Sequence, residues 1–388
     1  MPFAIYVLGM MIFSMTTAEF TVAGIMTSLS KEFDVSIASV GYLISAYAAG
    51  MIVGGPLLAI GLSNVSKKRA FLLISAVFLF GQTLGALAIG YEMMMVARII
   101  TGVSSAACFG VSLGICFDLV SPQARGRAAS IVLGGLMVAT ALGLPVAILF
   151  NQYFGWRSSF WVVVVLVLLS GLLSMKAIPA ASKSESVSLR SELASFKNRN
   201  LWAAYATSLL IIGATFAAFS YFAPILTDLS GFDTTTVPLL LGVYGMATVA
   251  GNLVTGRLAD RYMMPILTIG LMLLTASLMM FGIYAHSPYV AVIAVIMIGL
   301  TGVTLNPAMS TRITRVAGTG TLVATVHASV ISLGIVIGSS IGGLTIDAGY
   351  GLRSPLWVGF ILAMLGLVSL LPYFKKAGAL NITVKSKS

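Results

Sequence analysis

Charge is what this sequence has least of. Only 9% of its 388 residues are Asp, Glu, Lys or Arg, against roughly 25% in a soluble domain, which excludes an ordinary soluble globule. Histidine and cysteine number two each. Cys108 and Cys116 fall in the same apolar run and read as small packing residues, so neither a disulfide framework nor a Cys/His metal site is expected. There is no phosphate-cradling loop of the nucleotide-binding kind and no soluble domain. Any work the protein does therefore draws on an ion gradient or on the gradient of its own substrate, and no cofactor is expected.

Apolar length is what the chain has in excess. Hydrophobic residues make up 59% of it and the mean hydropathy is +1.04. Runs long enough to cross a hydrocarbon layer of ~30 Å as helices fall at 4–28, 38–60, 70–90, 93–117, 128–150 and 157–177, then at 201–222, 237–255, 264–285, 288–310, 323–346 and 355–374. The first run is too long for a cleavable signal peptide and has no basic leader. The expected fold is an all-α membrane protein of twelve transmembrane helices in two pseudo-symmetric six-helix bundles, 1–177 and 201–374. A polar linker, 178–200, and a tail, 375–388, complete the chain.

The net charge of +11 invites a nucleic-acid reading, but its distribution opposes one. With the amino terminus inside, the inner connections receive 18 of the 22 basic residues, from Lys67, Lys68 and Arg69 through to Lys385 and Lys387. The outer connections receive only Lys31, Arg157 and Arg353. This is the positive-inside pattern: both termini are expected in the cytoplasm, and no nucleic-acid partner is expected. Within the linker, Leu189, Leu193 and Phe196 recur at helical spacing among Arg190, Glu192 and Lys197, which suits a short helix on the membrane surface. A weak repeat joins the halves: "GLSNVSKKR" (61–69) and "GRLADRYMM" (256–264) lie 195 residues apart, with "GM" before each. Six plus six helices with a parallel repeat is a secondary-transporter pattern.

Two charges lie deep in spans. Glu19, in "IFSMTTAEFTVAGIM", is the carboxylate placed well inside the membrane, and Arg98 is the deeply placed cation; both sit in the outer half of their spans. Charges there cost about 2.5–3.5 kcal/mol on insertion scales and face the bundle interior. Glu19 and Arg98 are expected to face one cavity and couple, directly or through water. A carboxylate's proton affinity rises on desolvation and falls beside a cation, so movement between the two faces of the membrane would load and unload a proton. The alternatives are a structural Glu19–Arg98 pair, or a protonated Glu19 bonded to Thr16 or Thr17.

A second constellation is Asp260 between Arg257 and Arg261, a candidate gate holding helix ends together; Val65 stands in the acid's place in the first-half copy. Gly143 and Pro145 of "GLP" suit close packing and a hinge. Phe20, Tyr47, Phe109, Phe216, Tyr221, Tyr244, Asn306 and His327 are candidate substrate contacts, with packing the competing role for each.

These motifs together resemble the major facilitator superfamily, in its twelve-helix drug:proton antiporter branch. "RIITGVSSA" (98–106) is similar to that branch's span-four motif, whose arginine is implicated in proton coupling; Arg98 holds its place. "GRLADR" is similar to the front of the superfamily's signature loop, with Met263 and Met264 where a glycine and basic residues are expected. "MPFAIYVLGM", "TTAEF", "GLP" and "NQYFGWRSSFW" resemble chloramphenicol-resistance exporters and sugar or arabinose efflux permeases. The chain departs from them at Thr27, His327 and Ser332. The resemblance implies proton-coupled efflux of small amphipathic compounds across a bacterial inner membrane; because one chain holds both halves, a functional monomer is expected. The alternative is efflux of a sugar, nucleoside or other metabolite.

Overall fold

The computed structural model describes residues 1–62, 65–121, 124–179, 196–318 and 321–385. Among these the regular structure is helical throughout. Leu189, Arg190, Glu192 and Leu193 of the expected surface helix, and Asn64 and Lys387, lie outside the described residues.

Span one is Phe3–Gly24. It ends where Ile25 leaves helical geometry (φ −118°, ψ 23°), and a short helix, Met26–Phe33, continues from it. Spans two, three and four are Ile37–Gly61, Lys67–Ala86 and Tyr91–Asp118. Span five is Arg125–Val138 and Leu144–Phe154 joined through a π-helical turn, Ala139–Gly143. Spans six and seven are Trp156–Ala177 and Arg199–Phe219. Span ten comprises Pro288–Thr301, a 3₁₀ turn Val303–Leu305 and Asn306–Ala317. Span eleven is Thr321–Thr345, and span twelve runs from Ser354 to Lys385, past the expected end at 374.

Spans eight and nine form one continuous element, Val237–Ile283, with non-helical backbone only at Tyr262 (φ −123°, ψ 33°). Its 47 residues would reach ~70 Å if straight, more than twice the membrane core. Both of its ends lie together instead. Ser230, ahead of span eight, donates to the Ala285 carbonyl at 2.8 Å, and Phe222 packs against both Tyr244 and Phe281. The element therefore doubles back at Tyr262, which makes eleven apolar helices into twelve crossings. Pro265 is tolerated in the first turn after the break, where a missing N–H leaves no helix bond unmade.

The two halves cross their helices in the same way. A side chain at Gly135 of span five would strike the Gly9 carbonyl of span one, and one at Gly338 of span eleven would strike the Gly213 carbonyl of span seven. Bare glycine lets backbones touch where no apolar solvent-driven force brings helices together. Spans two and four meet similarly, Gly102 lying against the Tyr47 carbonyl. Between the halves, span two packs on span eleven and span five on span eight.

The end of the bundle where span one begins carries most of the cations and is called the basic end below. Hydrogen bonds between described residues of the two halves lie toward the opposite end. Ser45 bonds Ser339 at 2.7 Å and Ser340 at 2.8 Å. Ser36 and Tyr42 donate to the Asp347 carboxylate at 3.0 and 3.4 Å, and Gln152 donates to the Thr234 carbonyl. At the basic end the polar contacts between described residues stay within a half. Among the described residues the polar ties between the halves thus gather at the opposite end.

Candidate functional site

The centre of the amino-terminal half is built around Arg98. Its side chain is 1% exposed, yet it forms no ion pair with a described residue. One nitrogen, Nη1, donates to the Ala18 carbonyl at 2.9 Å, Nη2 to the Glu19 carbonyl at 3.1 Å, and Nε to the Leu43 carbonyl at 3.3 Å. The guanidinium also lies over the Tyr47 ring, 4.2 Å from its centre. Tyr47 is held there because Gly102, one turn along from Arg98, lets span four reach span two, and because its hydroxyl donates to the Met15 carbonyl at 3.3 Å. A charge-assisted hydrogen bond contributes about 1.5–3 kcal/mol. Three of them exceed the insertion cost of one cation, about 2.5–3.5 kcal/mol, without any counter-ion.

Glu19 is therefore adjacent to Arg98, but the contact runs through Glu19's main chain. A direct side-chain pair, one form of the coupling expected above, is not formed; the ion pairs among the described residues are Lys67–Asp118 and Arg157–Glu32. Nor is the carboxyl bonded to its neighbouring threonines. Thr17 returns its hydroxyl to the Phe13 carbonyl at 2.8 Å, and the Thr16 hydroxyl has no partner among described residues. The Glu19 side chain is half-buried, with its carboxylate uncommitted to any described group.

Directly beyond Glu19, aromatic rings from both halves close the opposite end. Phe20 meets Phe219 edge-on at 5.4 Å and Phe216 at 6.3 Å, and Phe219 stacks on Tyr244 at 4.9 Å. Tyr221 is fully buried, donates to the Ser339 carbonyl at 2.7 Å and fills the space left by Gly41 of span two. Gly143 lies against the Thr17 hydroxyl, Pro145 faces Gly242 of span eight, where an added Cβ would come within 3.3 Å of its ring, and Gly245 lies on the Thr140 carbonyl. The π turn of span five is thus a place where the backbones of the two halves approach closely.

The remaining candidates are dispersed. Phe109 is half-buried in the amino-terminal core. His327 is buried near the basic end, 3.1 Å from the Ser208 hydroxyl and parallel to the Tyr205 ring. Asn306 is half-buried at the head of the second segment of span ten. At the basic surface Asp260, Arg257 and Arg261 are all exposed; Arg315 donates to the main-chain carbonyl of Asp260, and Arg261 lies over Tyr262. The Asp260 carboxylate makes no ion pair among described residues.

Two residues escaped the sequence reading. Asp118, at the end of span four, pairs with Lys67 at 2.6 Å, so the acid missing at Val65 is supplied by a neighbouring helix. Arg312, counted above among the loop cations, is instead 2% exposed inside the carboxy-terminal half, with Nη1 donating to the Thr207 hydroxyl at 2.8 Å. Its spacing with Ala308, Met309 and Ile313 on one helical face was the signal for burial. At the opposite end, outside the spans, the Arg157 guanidinium bonded to Glu32 at 2.8 Å holds that carboxyl below the usual range.

The family model described as Major Facilitator Superfamily matches residues 8–327. The chain is 29% identical over 378 residues to a chloramphenicol resistance protein of Streptomyces lividans, covering 96% of each chain. It is 29% identical over 357 residues to the inner membrane transport protein YdhP of Escherichia coli K12, covering 92% of each. A solved bacterial homologue of the human lysosomal transporter Spinster, in an inward-facing, unoccupied conformation, superposes with a TM-score of 0.73 at 15% identity, over 94% of both chains.

Proposed function

The chain belongs to the Major Facilitator Superfamily and is a multi-pass membrane transporter, and from that premise we propose that it exports small amphipathic compounds of the chloramphenicol kind in exchange for protons. The observation that carries this reading is the state of Glu19. Its side chain is half-buried in mid-bundle and its carboxylate makes no hydrogen bond or ion pair with a described residue, while each nitrogen of Arg98, the cation beside it, donates to a main-chain carbonyl. A carboxylate so placed is free to exchange a proton with whichever side of the membrane it faces, and the fixed charge of Arg98 biases that exchange. The chloramphenicol resistance relative supports the substrate class.

The basic end faces the cytoplasm in this reading, which makes the tied end the outer one and assigns the arrangement to the inward-open side of the cycle. Opening outward breaks the Ser45 and Asp347 bonds between spans two and eleven and brings the basic ends of the halves together, with Asp260 and Arg315 among the groups that meet. The halves, 1–177 and 201–374, move as units about the span five–span eight contact at Gly143, Pro145 and Gly245. One chain contains both halves and acts as a monomer.

The test is transport of labelled chloramphenicol into inside-out vesicles with an acidic interior. Wild-type protein concentrates the compound, an uncoupler abolishes the accumulation, and Glu19→Gln loses accumulation while keeping equilibration down a concentration gradient. Accumulation that survives the uncoupler or Glu19→Gln would overturn the coupling.

A further inference from the structure

Span ten is interrupted in mid-membrane, and its second segment has the wrong face for lipid. The first segment stops at Thr301, Gly302 departs from helical geometry (φ −86°, ψ −105°), and the helix resumes at Asn306 with Pro307 in its first turn. Glycine is required at the break because a Cβ there would come within 2.7 Å of Thr215 on span seven. Threonines repair the exposed backbone: Thr304 donates to the Leu300 carbonyl at 2.6 Å, and Thr255 of span eight to the Thr304 carbonyl at 2.5 Å. Such backbone survives at membrane depth only inside protein or beside water.

The segment Asn306–Ala317 shows that water is one neighbour. At 100° per residue its buried arc carries Ala308, Met309, Arg312 and Ile313. The opposite arc carries Asn306, Ser310, Thr311, Thr314 and Arg315, with Pro307 and Ala317 as its only non-polar members; all of these are half-buried or exposed. A lipid-facing arc is the reverse, as on span six, where Trp161, Val165, Leu168 and Leu172 are exposed. Polar side chains in a span face the bundle interior or a water-filled space. At the head of this arc the Ser310 hydroxyl lies 3.4 Å from the Asn306 Oδ1, and the Asn306 amide hydrogens have no partner among described residues.

We propose that this arc is the hydrated wall of the central cavity on the carboxy-terminal half, and that Asn306 is its recognition residue, binding a neutral hydrogen-bonding group (an amide or hydroxyl) of the transported compound. Asn306 lies eleven residues, about 16 Å, from the basic end of its span, and Glu19 sixteen residues, about 24 Å, from that of span one. A compound reaching from one to the other spans about 8 Å along the axis, the length of a small drug. The proposal rests on the export reading for its substrate, but the wall can be tested without any substrate.

The first experiment places Ser310→Cys in a Cys108→Ala, Cys116→Ala background and exposes inside-out vesicles to a charged, membrane-impermeant methanethiosulfonate, with Leu168→Cys as the lipid-facing control. Thiol attack requires access to water, so the cysteine at 310 reacts at least about tenfold faster than the one at 168; equal rates would overturn the hydrated wall. The second compares chloramphenicol, which carries amide and hydroxyl groups, with tetraphenylphosphonium, which carries neither. Asn306→Ala raises KM for chloramphenicol about fivefold to tenfold, the worth of one neutral hydrogen bond or slightly more. Vmax and the KM for tetraphenylphosphonium stay unchanged, and Asn306→Gln restores part of the loss. Equal changes for both compounds, or none, would overturn the role of Asn306, as would a wild-type protein that moves tetraphenylphosphonium but not chloramphenicol. A wild type that moves neither would sink the export reading, while the thiol rates still decide the wall.

Discussion

The two halves share one scaffold and keep their polarity in different places. In the amino-terminal half span four is unbroken, its cation is wrapped in main-chain carbonyls, and the uncommitted charge is a single carboxylate on span one. In the carboxy-terminal half the matching span ten is broken at Gly302, Arg312 is tied to the Thr207 hydroxyl, and the polar groups at the head of its open arc, Asn306, Ser310 and Thr311, are neutral. The basic-end ties are reversed as well: Lys67 at the start of span three meets the Asp118 carboxylate at the end of span four, whereas Asp260 at the end of span eight offers its main-chain carbonyl to Arg315 of span ten. Pseudo-symmetry therefore constrains helix crossings, which depend on glycine and close packing, but leaves side-chain chemistry free to diverge. The proposed division of labour follows from that freedom, with proton exchange on one half and recognition on the other.

The largest effect is expected at Arg98. Arg98→Ala removes three hydrogen bonds from a buried cation to main-chain carbonyls of two spans, at about 1.5–3 kcal/mol each. Expression as folded protein and transport should both fall by more than about tenfold. Arg98→Lys should restore little, because an ammonium cannot reproduce the forked geometry or the stacking on Tyr47. Next come the glycine crossings. Gly135→Leu and Gly338→Leu drive a side chain into a facing backbone, so each should lower thermal stability by about 1–3 kcal/mol, and by similar amounts if the halves are equivalent scaffolds. Gly110→Ala, with open space at its Cβ, should be neutral in the same melting experiment.

Smaller still are the basic-end ties. Lys67→Ala should cost about 1 kcal/mol or less, since the pair with Asp118 is partly solvated; Arg315→Ala, whose partner is a main-chain carbonyl, should cost a similar amount and show weaker dependence on salt. The least effect is expected from Glu32 at the opposite end. Arg157 depresses its pKa, so the pair stabilises the fold above the unfolded carboxylate value of about 4.3 and its contribution disappears as pH falls through the lower, folded value. A melting series from neutral pH into acid should show wild type losing slightly more stability than Glu32→Gln.

The amino-terminal site was legible because charge in an apolar span is rare and costly: Glu19 and Arg98 stand out by type and depth alone. Their geometry was not, because a sequence does not say which carbonyls a guanidinium will reach, and an ion pair was the simpler expectation. Tyr47 was expected as a substrate contact for its ring; the structure spends that ring on Arg98. Span ten carried its signal in Gly302, Pro307 and the run of Ser and Thr that follows, but counting Arg312 and Arg315 as loop charges hid it. The twelve crossings were read correctly where hydropathy is decisive, while the junction of spans eight and nine was read as a loop because "GRLADRYMM" is polar. The backbone there stays helical up to Tyr262, and only that residue turns.

The central claim is that Glu19 holds the exchangeable proton. The most direct measurement adds chloramphenicol to purified protein in weakly buffered detergent solution and follows proton release with a pH indicator. Wild type should release protons in proportion to chloramphenicol bound, and Glu19→Gln should bind the compound and release none. Equal proton release from both would contradict the account.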